Sequence, residues 1–300
     1  MKDIKFRISG LLLLLAFCFL QPLAAQEKSG AAASLHSLWK VEGKSNTVYL
    51  LGSVHLLKAE NFPLAPPLEA AFSNAAVVVF ETDIEKMEDP QLQMKMMAKA
   101  QLPEGETLKD HLSAETYTSF TSHLKDSGLP PEMFNSMKPA MAAIVLGMVE
   151  LTKLGADPEH GLDKYFSKRV RKEGKEVVGL ESIDFQLNLL TSFSREEDEL
   201  VMKSSLKDID SMKEKYGDMV KAWQNGDGAG LDKMLNEMLR EAPSIHKRLL
   251  TDRNKSWIPK IEELLHGEKN AIVIVGAGHL VGTEGVVELL KKKGLKVTQQ

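Results

Sequence analysis

Cysteine is almost missing from this chain. The one cysteine among 300 residues is Cys18, inside the apolar stretch "ISGLLLLLAFCFL". Lys2, Lys5 and Arg7 precede that stretch, and the small residues of "QPLAAQ" follow it. This is the plan of a secretory signal peptide, with cleavage expected after Ala25 and a mature N-terminus at Gln26. A spanning helix needs about 20 apolar residues, and this run stops sooner, at Gln21-Pro22. A lipoprotein would need a small residue before the cysteine, where Phe17 stands. The expected compartment is therefore periplasmic or secreted.

Once residues 1–25 are removed, no cysteine remains. Disulfides, a thiolate nucleophile and Cys-ligated zinc are then excluded, so any metal must be held by histidines and carboxylates. A second long apolar run is also lacking, so no stable membrane insertion is expected after cleavage. Charge of one sign is scarce: 38 Lys and Arg stand against 42 Asp and Glu, interspersed along the chain, for a net −4. That balance gives no basic footprint for nucleic acid.

What is present is an alternation of apolar runs and helical patterns. "LHSLWKVEG" and "TVYLLGSV" read as a hairpin turning at Lys44-Ser45-Asn46. "AAVVVFETD", "KEVVGLES" and "NAIVIVGAG" read as further strands, and "GLKVTQQ" as a short edge strand. "PPLEAAFSNA" opens with prolines suited to a first helical turn, and "EGVVELLKKKG" closes with lysines and a glycine. Strands alternating with helices predict an α/β fold with a central mixed, mostly parallel sheet flanked by helices. The expected domain is single, 26–300. Its sheet core covers about 34–84, 174–184 and 268–300, and a helical insertion covers about 85–173 and 185–250. Every methionine except Met1 falls between Met87 and Met238, so the insertion is rich in methionine. Gap-filling between helices is the expected use of such residues. Met133, Met137 and Met141, spaced by four, are expected on one helical face.

Two runs end alike: "VYLLGSVHLL" delivers His55 and "AIVIVGAGHLVG" delivers His279, each three residues after a glycine. "VVVFE" delivers Glu81 and "EVVGLE" delivers Glu181. In open α/β sheets ligands bind beyond the carboxyl ends of the strands. Two histidines and two glutamates at four strand ends would share one rim if the strands are parallel neighbours. Gly52 and Gly276 are expected to let the chain turn out of the sheet, and Gly278 to let backbone approach a ligand. Imidazole and carboxylate donors suit Zn, Mn, Co or Fe(II) with open positions for water, and a remaining carboxylate could serve as base. A lone histidine or glutamate at such a position is ordinarily structural; it is the fourfold recurrence that points to a site. Asp163 is expected to cap the helix "KYFSKRVRKEG", and His111, His123 and His160 to be exposed.

These motifs resemble the TraB/GumN family, whose eukaryotic relatives include the Tiki proteases. The resemblance rests on "YLLGSVHLL", "FETD", "KPAMAAIVLGMVELTKLGADPEHGLDKYFSKRVRKEGKEVVGLESIDFQLNLL", "DRNKSWIPKIEELL" and "IVIVGAGHLVGTEGVVELLKKKGLKV". It implies a core like that of erythromycin esterase and of a haem-binding lipoprotein group. It also implies that His55, His279 and Glu81 hold a divalent metal, Mn, Co or Zn. Glu181 would orient a ligand or act as base, and Arg253, at the "RN" position, would stabilise negative charge. The implied activity is metal-dependent hydrolysis of a peptide or of a small amide or ester. The esterase branch implies an alternative without metal, and the lipoprotein branch a metal- or haem-binding protein without turnover.

Overall fold

Among the described residues, runs of apolar side chains make Val77–Phe80 and Ala271–Gly276 the two fully buried strands. The computed structural model describes residues 35–209 and 211–300; the expected signal segment and Cys18 lie outside the described residues. Six strands form one mixed sheet: β1 (Leu38–Glu42), β2 (Thr47–Ser53), β3 (Val77–Phe80), β4 (Glu176–Gly179), β5 (Ala271–Gly276) and β6 (Val297–Gln299). Their order across the sheet is β4-β3-β5-β2-β1-β6. β4, β3, β5 and β2 are mutually parallel, while β1 runs antiparallel to both β2 and β6. The hairpin expected at the start is there, closed by Gly43 N–H donating to the Asn46 carbonyl at 3.0 Å. β4 is an edge strand whose residues alternate between exposed and half-buried, as a strand solvated on one face should.

Helices cover the sheet because parallel strands need crossovers. Pro66–Asn74 connects β2 to β3, and Leu162–Glu173 leads into β4. Phe72 and Phe166 stack between these two helices with ring centroids 4.6 Å apart. Asp252–His266 leads into β5 and buries Trp257, Ile258 and Ile261. The middle of the chain is helical, and part of it has its own apolar cluster. There Phe120 meets Phe134 edge to face at 5.5 Å, and Leu124, Leu146 and Met202 are fully enclosed. No helix among the described residues is long and apolar enough to cross a membrane.

The methionines divide. Met87, Met96, Met141 and Met202 fill core gaps, whereas Met94, Met97 and Met133 are exposed. Met133, Met137 and Met141 do not share one helix. Met133 sits in the short turn Pro131–Phe134, and Met141 in the helix Pro139–Lys153. Pro139 explains the break: it starts the helix, and it holds Lys138 extended at φ −61°, ψ 143°.

Candidate functional site

Because β4, β3, β5 and β2 are parallel neighbours, their carboxyl ends form one rim. That rim carries Glu181, Glu81, His279 and His55 in spatial order. The loops leaving it are tied down by backbone bonds. Glu181 N–H donates to the Glu81 carbonyl at 2.8 Å, and Leu162 N–H donates to the Val54 carbonyl at 3.0 Å. The second bond brings the start of the helix Leu162–Glu173 against the segment that bears His55.

This contact defines His55. Its Nδ1–H donates to Asp163 Oδ2 at 2.6 Å, and Asp163 Oδ1 accepts from Ser53 Oγ at 2.9 Å. Asp163 is 3% exposed, so the sequence expectation of a capping aspartate is corrected. The N-cap is Gly161, with no side-chain cap bond, and Asp163 turns inward from the first turn. A buried carboxylate needs a hydrogen-bonded partner, and the imidazole is that partner. Burial by itself would lower the His55 pKa; the adjacent Asp163 charge and bond outweigh it and raise it. Nε2, the other ring nitrogen, makes no hydrogen bond among the described residues. The His55 side chain is 12% exposed, more than those of Glu81, Glu181, Arg253 or His279, which lie between 5% and 8%.

The other half of the rim is organised around Arg253, which is 7% exposed. Its Nε–H is shared by Glu181 Oε1 at 2.9 Å and Oε2 at 3.1 Å. Nη2 donates to Glu81 Oε2 at 2.5 Å and to Glu181 Oε2 at 2.8 Å. Nη1 donates to the Leu249 carbonyl and to His279 Nε2, each at 3.0 Å. A guanidinium has five N–H bonds, and all five are committed inside the protein. Arg253 therefore holds the site together, bridging Glu81, Glu181, His279 and the Leu249 carbonyl. Glu181 is equally committed: Trp257 Nε1–H donates to Oε1 at 2.8 Å, and Gln186 Nε2–H to Oε2 at 3.2 Å. It anchors Arg253.

His279 is held at both nitrogens. Nδ1–H donates to Asn254 Oδ1 at 2.6 Å, an orientation fixed because Asn254 Nδ2 donates to the Glu284 carbonyl. Nε2 then accepts from Arg253. Burial, reinforced by the Arg253 charge, pushes the His279 pKa down to about 3, so the ring is neutral. Glu81 takes Gly276 N–H at Oε1, 2.8 Å away. Burial would raise its carboxyl, but Arg253, His279, His55 and the Gly276 amide together hold it well below the usual carboxylate range.

The donor types would suit a divalent metal, but their arrangement does not. The lone pair of His279 Nε2 and the Oε2 of Glu81 both face a permanent cation. A Cβ at Gly276 would have Glu81 Oε1, His279 Cδ2 and His55 Nε2 as its nearest neighbours. Among the described residues no group of three or more His, Cys, Asp or Glu side chains is placed to hold a metal ion. Of the expected triad, His279 and Glu81 are bonded to the guanidinium, while His55 is bonded to Asp163.

The glycines act through their missing Cβ and not through backbone freedom. Gly276 has φ −48°, open to any residue. A Cβ there would lie 3.4 Å from Glu81 Oε1, 3.5 Å from His279 Cδ2 and 3.6 Å from His55 Nε2. At Gly52, inside β2, a Cβ would come within 3.1 Å of Ala277 Cα, and at Gly161 within 2.3 Å of the His55 carbonyl. His111, His123 and His160, expected to be exposed, are half-buried: His111 meets Glu106, His123 the Ser119 carbonyl, and His160 Nδ1 lies 3.7 Å from Asp157 without a hydrogen bond. Gln186, Asn254, Trp257 and Asp163 complete the site, and sequence spacing singled out none of them as site residues.

No solved structure matches this chain. An uncharacterised protein of Escherichia coli, YbaP, is 24% identical over 243 residues, covering 81% of this chain and 87% of that protein. An uncharacterised protein of Treponema pallidum is 21% identical, covering 89% and 85%. Metalloprotease TIKI1 of Xenopus tropicalis is 19% identical, covering 87% of this chain but 60% of its own length. The profile of the TraB/PrgY/gumN family matches residues 37–299, and the chain belongs to that family.

Proposed function

We propose that this protein is an exported hydrolase of amide or ester bonds in which His55 is the general base. One observation carries the reading: of the four ring nitrogens of the two rim histidines, His55 Nε2 alone is left free, while its Nδ1–H is bound by buried Asp163. Asp163 fixes the tautomer that offers Nε2 as acceptor, and it stabilises the imidazolium formed when water gives up a proton. Glu81, beside the same space, adds negative charge that favours this imidazolium. The bare Cα of Gly276 leaves room between them for the water or for the group under attack.

The test is a cleavage screen on peptide and ester libraries with the mature protein and with His55→Ala, each with and without a chelator. Turnover that survives chelation and vanishes in His55→Ala supports the reading; turnover unaffected by His55→Ala sinks it. A metal-dependent peptidase is the second reading, favoured by the metalloprotease TIKI1 relative and by the histidine and carboxylate donors. It requires activity that chelation abolishes and Mn, Co or Zn restores. Stoichiometric capture of metal or haem without any product would instead make the rim a binding site. Export rests on the N-terminal pattern of Lys2, Lys5, Arg7, an apolar stretch and small residues before Gln26. An intact mass lacking residues 1–25 checks it.

A further inference from the structure

We propose that the Arg253 guanidinium is the resident cation of the rim, standing between Glu81, Glu181 and His279 where a divalent ion would otherwise sit, so that its removal converts these side chains into a metal site. The inference concerns what occupies the rim and not whether the protein turns over a substrate, so it stands or falls apart from the hydrolase reading.

Charge and geometry agree on it. Glu81 and Glu181 both direct Oε2 to Arg253 Nη2, at 2.5 and 2.8 Å, and His279 Nε2 accepts from Nη1 at 3.0 Å. Two carboxylates facing one guanidinium leave a single negative charge. A dication added beside the guanidinium would meet a like charge and would find the best lone pairs already taken. Arginine cannot vacate the place by losing a proton. Nor can His279 offer a different nitrogen, because Nδ1 is bound to Asn254 at 2.6 Å. The Leu249 carbonyl and the Trp257 ring, 4.9 Å from the guanidinium carbon, fix the cation from the remaining sides.

Take the guanidinium away, and two buried carboxylates and a neutral imidazole lose their shared partner at once. Such a cluster must protonate, rearrange or acquire another cation. Glu81, Glu181 and His279 then offer three nitrogen and oxygen donors at the vacated place, a set that zinc completes with water.

The experiment compares wild type with Arg253→Met, Arg253→Met/His279→Ala and Arg253→Lys. Metal content is measured by mass spectrometry of the purified proteins, and melting temperature is read with zinc, with manganese and with chelator. Wild type should carry well under one equivalent of metal, and its melting temperature should ignore both metal and chelator. Arg253→Met should melt lower than wild type and recover roughly 5–10 °C with zinc in large excess over Kd. Arg253→Met/His279→Ala should recover nothing, and Arg253→Lys, which keeps a cation, should stay metal-insensitive. If Arg253→Met is insoluble, zinc in the growth medium should restore soluble protein, and failure to do so counts against the proposal. A wild type holding one equivalent of metal that His279→Ala removes overturns it, as does an Arg253→Met that zinc leaves unmoved. A metal-free wild type that also cleaves nothing would leave this inference intact and remove only the hydrolase.

Discussion

Asp163 Oδ2 lies 2.6 Å from His55 Nδ1, although the two residues come from different elements and stand 108 positions apart. This carboxylate makes the histidine a base. Asp163→Asn should therefore lower kcat by about 10²–10⁴-fold while leaving the protein folded. The pH profile should move as well. A general base must be neutral, so activity rises with pH through the His55 pKa, which Asp163 holds above the usual histidine range. Losing the charge should shift that acidic limb to lower pH. An unshifted limb in steady-state kinetics would mean that another group sets it.

Each rim histidine is the hydrogen-bond partner of a buried polar group, so truncating either should cost stability. His279 is 4% exposed, bonded at both nitrogens and set against the Trp257 ring at a centroid distance of 4.4 Å. His279→Ala should cost about 2–4 kcal/mol of stability, read as a clear fall in melting temperature. His55→Ala should also lower the melting temperature, because it leaves the buried Asp163 carboxylate with Ser53 Oγ alone. Both should remove nearly all turnover, and the double variant should be scarcely worse than the weaker single one. Additive losses of activity would separate the two histidines into independent sites.

Acid should unfold the protein partly through His279. Its folded pKa is pushed down to about 3, whereas the unfolded value is about 6.5. Above about pH 6.5 the ring is neutral in both states and its full contribution to stability is present. As pH falls from there toward 3, the unfolded chain takes up a proton that the folded ring refuses, and stability is lost across that window. His246 and Asp198, whose pKa is raised to about 6 by burial, titrate in the same range. The effect is therefore read as a difference: His279→Gln should show a shallower fall in melting temperature between pH 6.5 and 4 than wild type. Parallel curves would remove His279 from the acid response.

Gly276→Ala separates room from rigidity. Its added Cβ meets only ordinary contacts, 3.4–3.6 Å from Glu81, His279 and His55, and the backbone angle suits alanine. Melting temperature should stay within a few degrees of wild type, while activity should drop at least about tenfold because the methyl takes the place in front of His55 Nε2. Full activity in this variant would put the reacting group elsewhere.

The sheet was legible because its strands write themselves plainly: Val77–Phe80 and Ala271–Gly276 are unbroken apolar runs, and the residues after them must leave the sheet at its rim. Parallel pairing then brings Glu81, Glu181, His55 and His279 together without further information. Asp163, Gln186 and Asn254 were not legible as site residues, because each reaches the rim from a helix whose position depends on tertiary packing. Asp163 sits in a first helical turn, where local rules favour a capping or dipole role; only the Val54–Leu162 backbone bond turns it toward His55. Arg253 was found by resemblance, and its bonds to Glu81, Glu181 and His279 were not legible, since donors spent on neighbours do not show in spacing.

β2 pairs with β5, and β1 with β6, across more than two hundred intervening residues. The consequence is kinetic. As the chain emerges N-terminus first, the β1–β2 hairpin precedes the central strand it must dock against, and the whole helical middle comes between. Closing so large a loop is entropically slow, and until β5 arrives one side of β2 is an unpaired edge bearing Leu50 and Leu51. Folding should thus be limited by the last thirty or so residues, and the same late event that completes the sheet delivers His279 and assembles the rim in a single step.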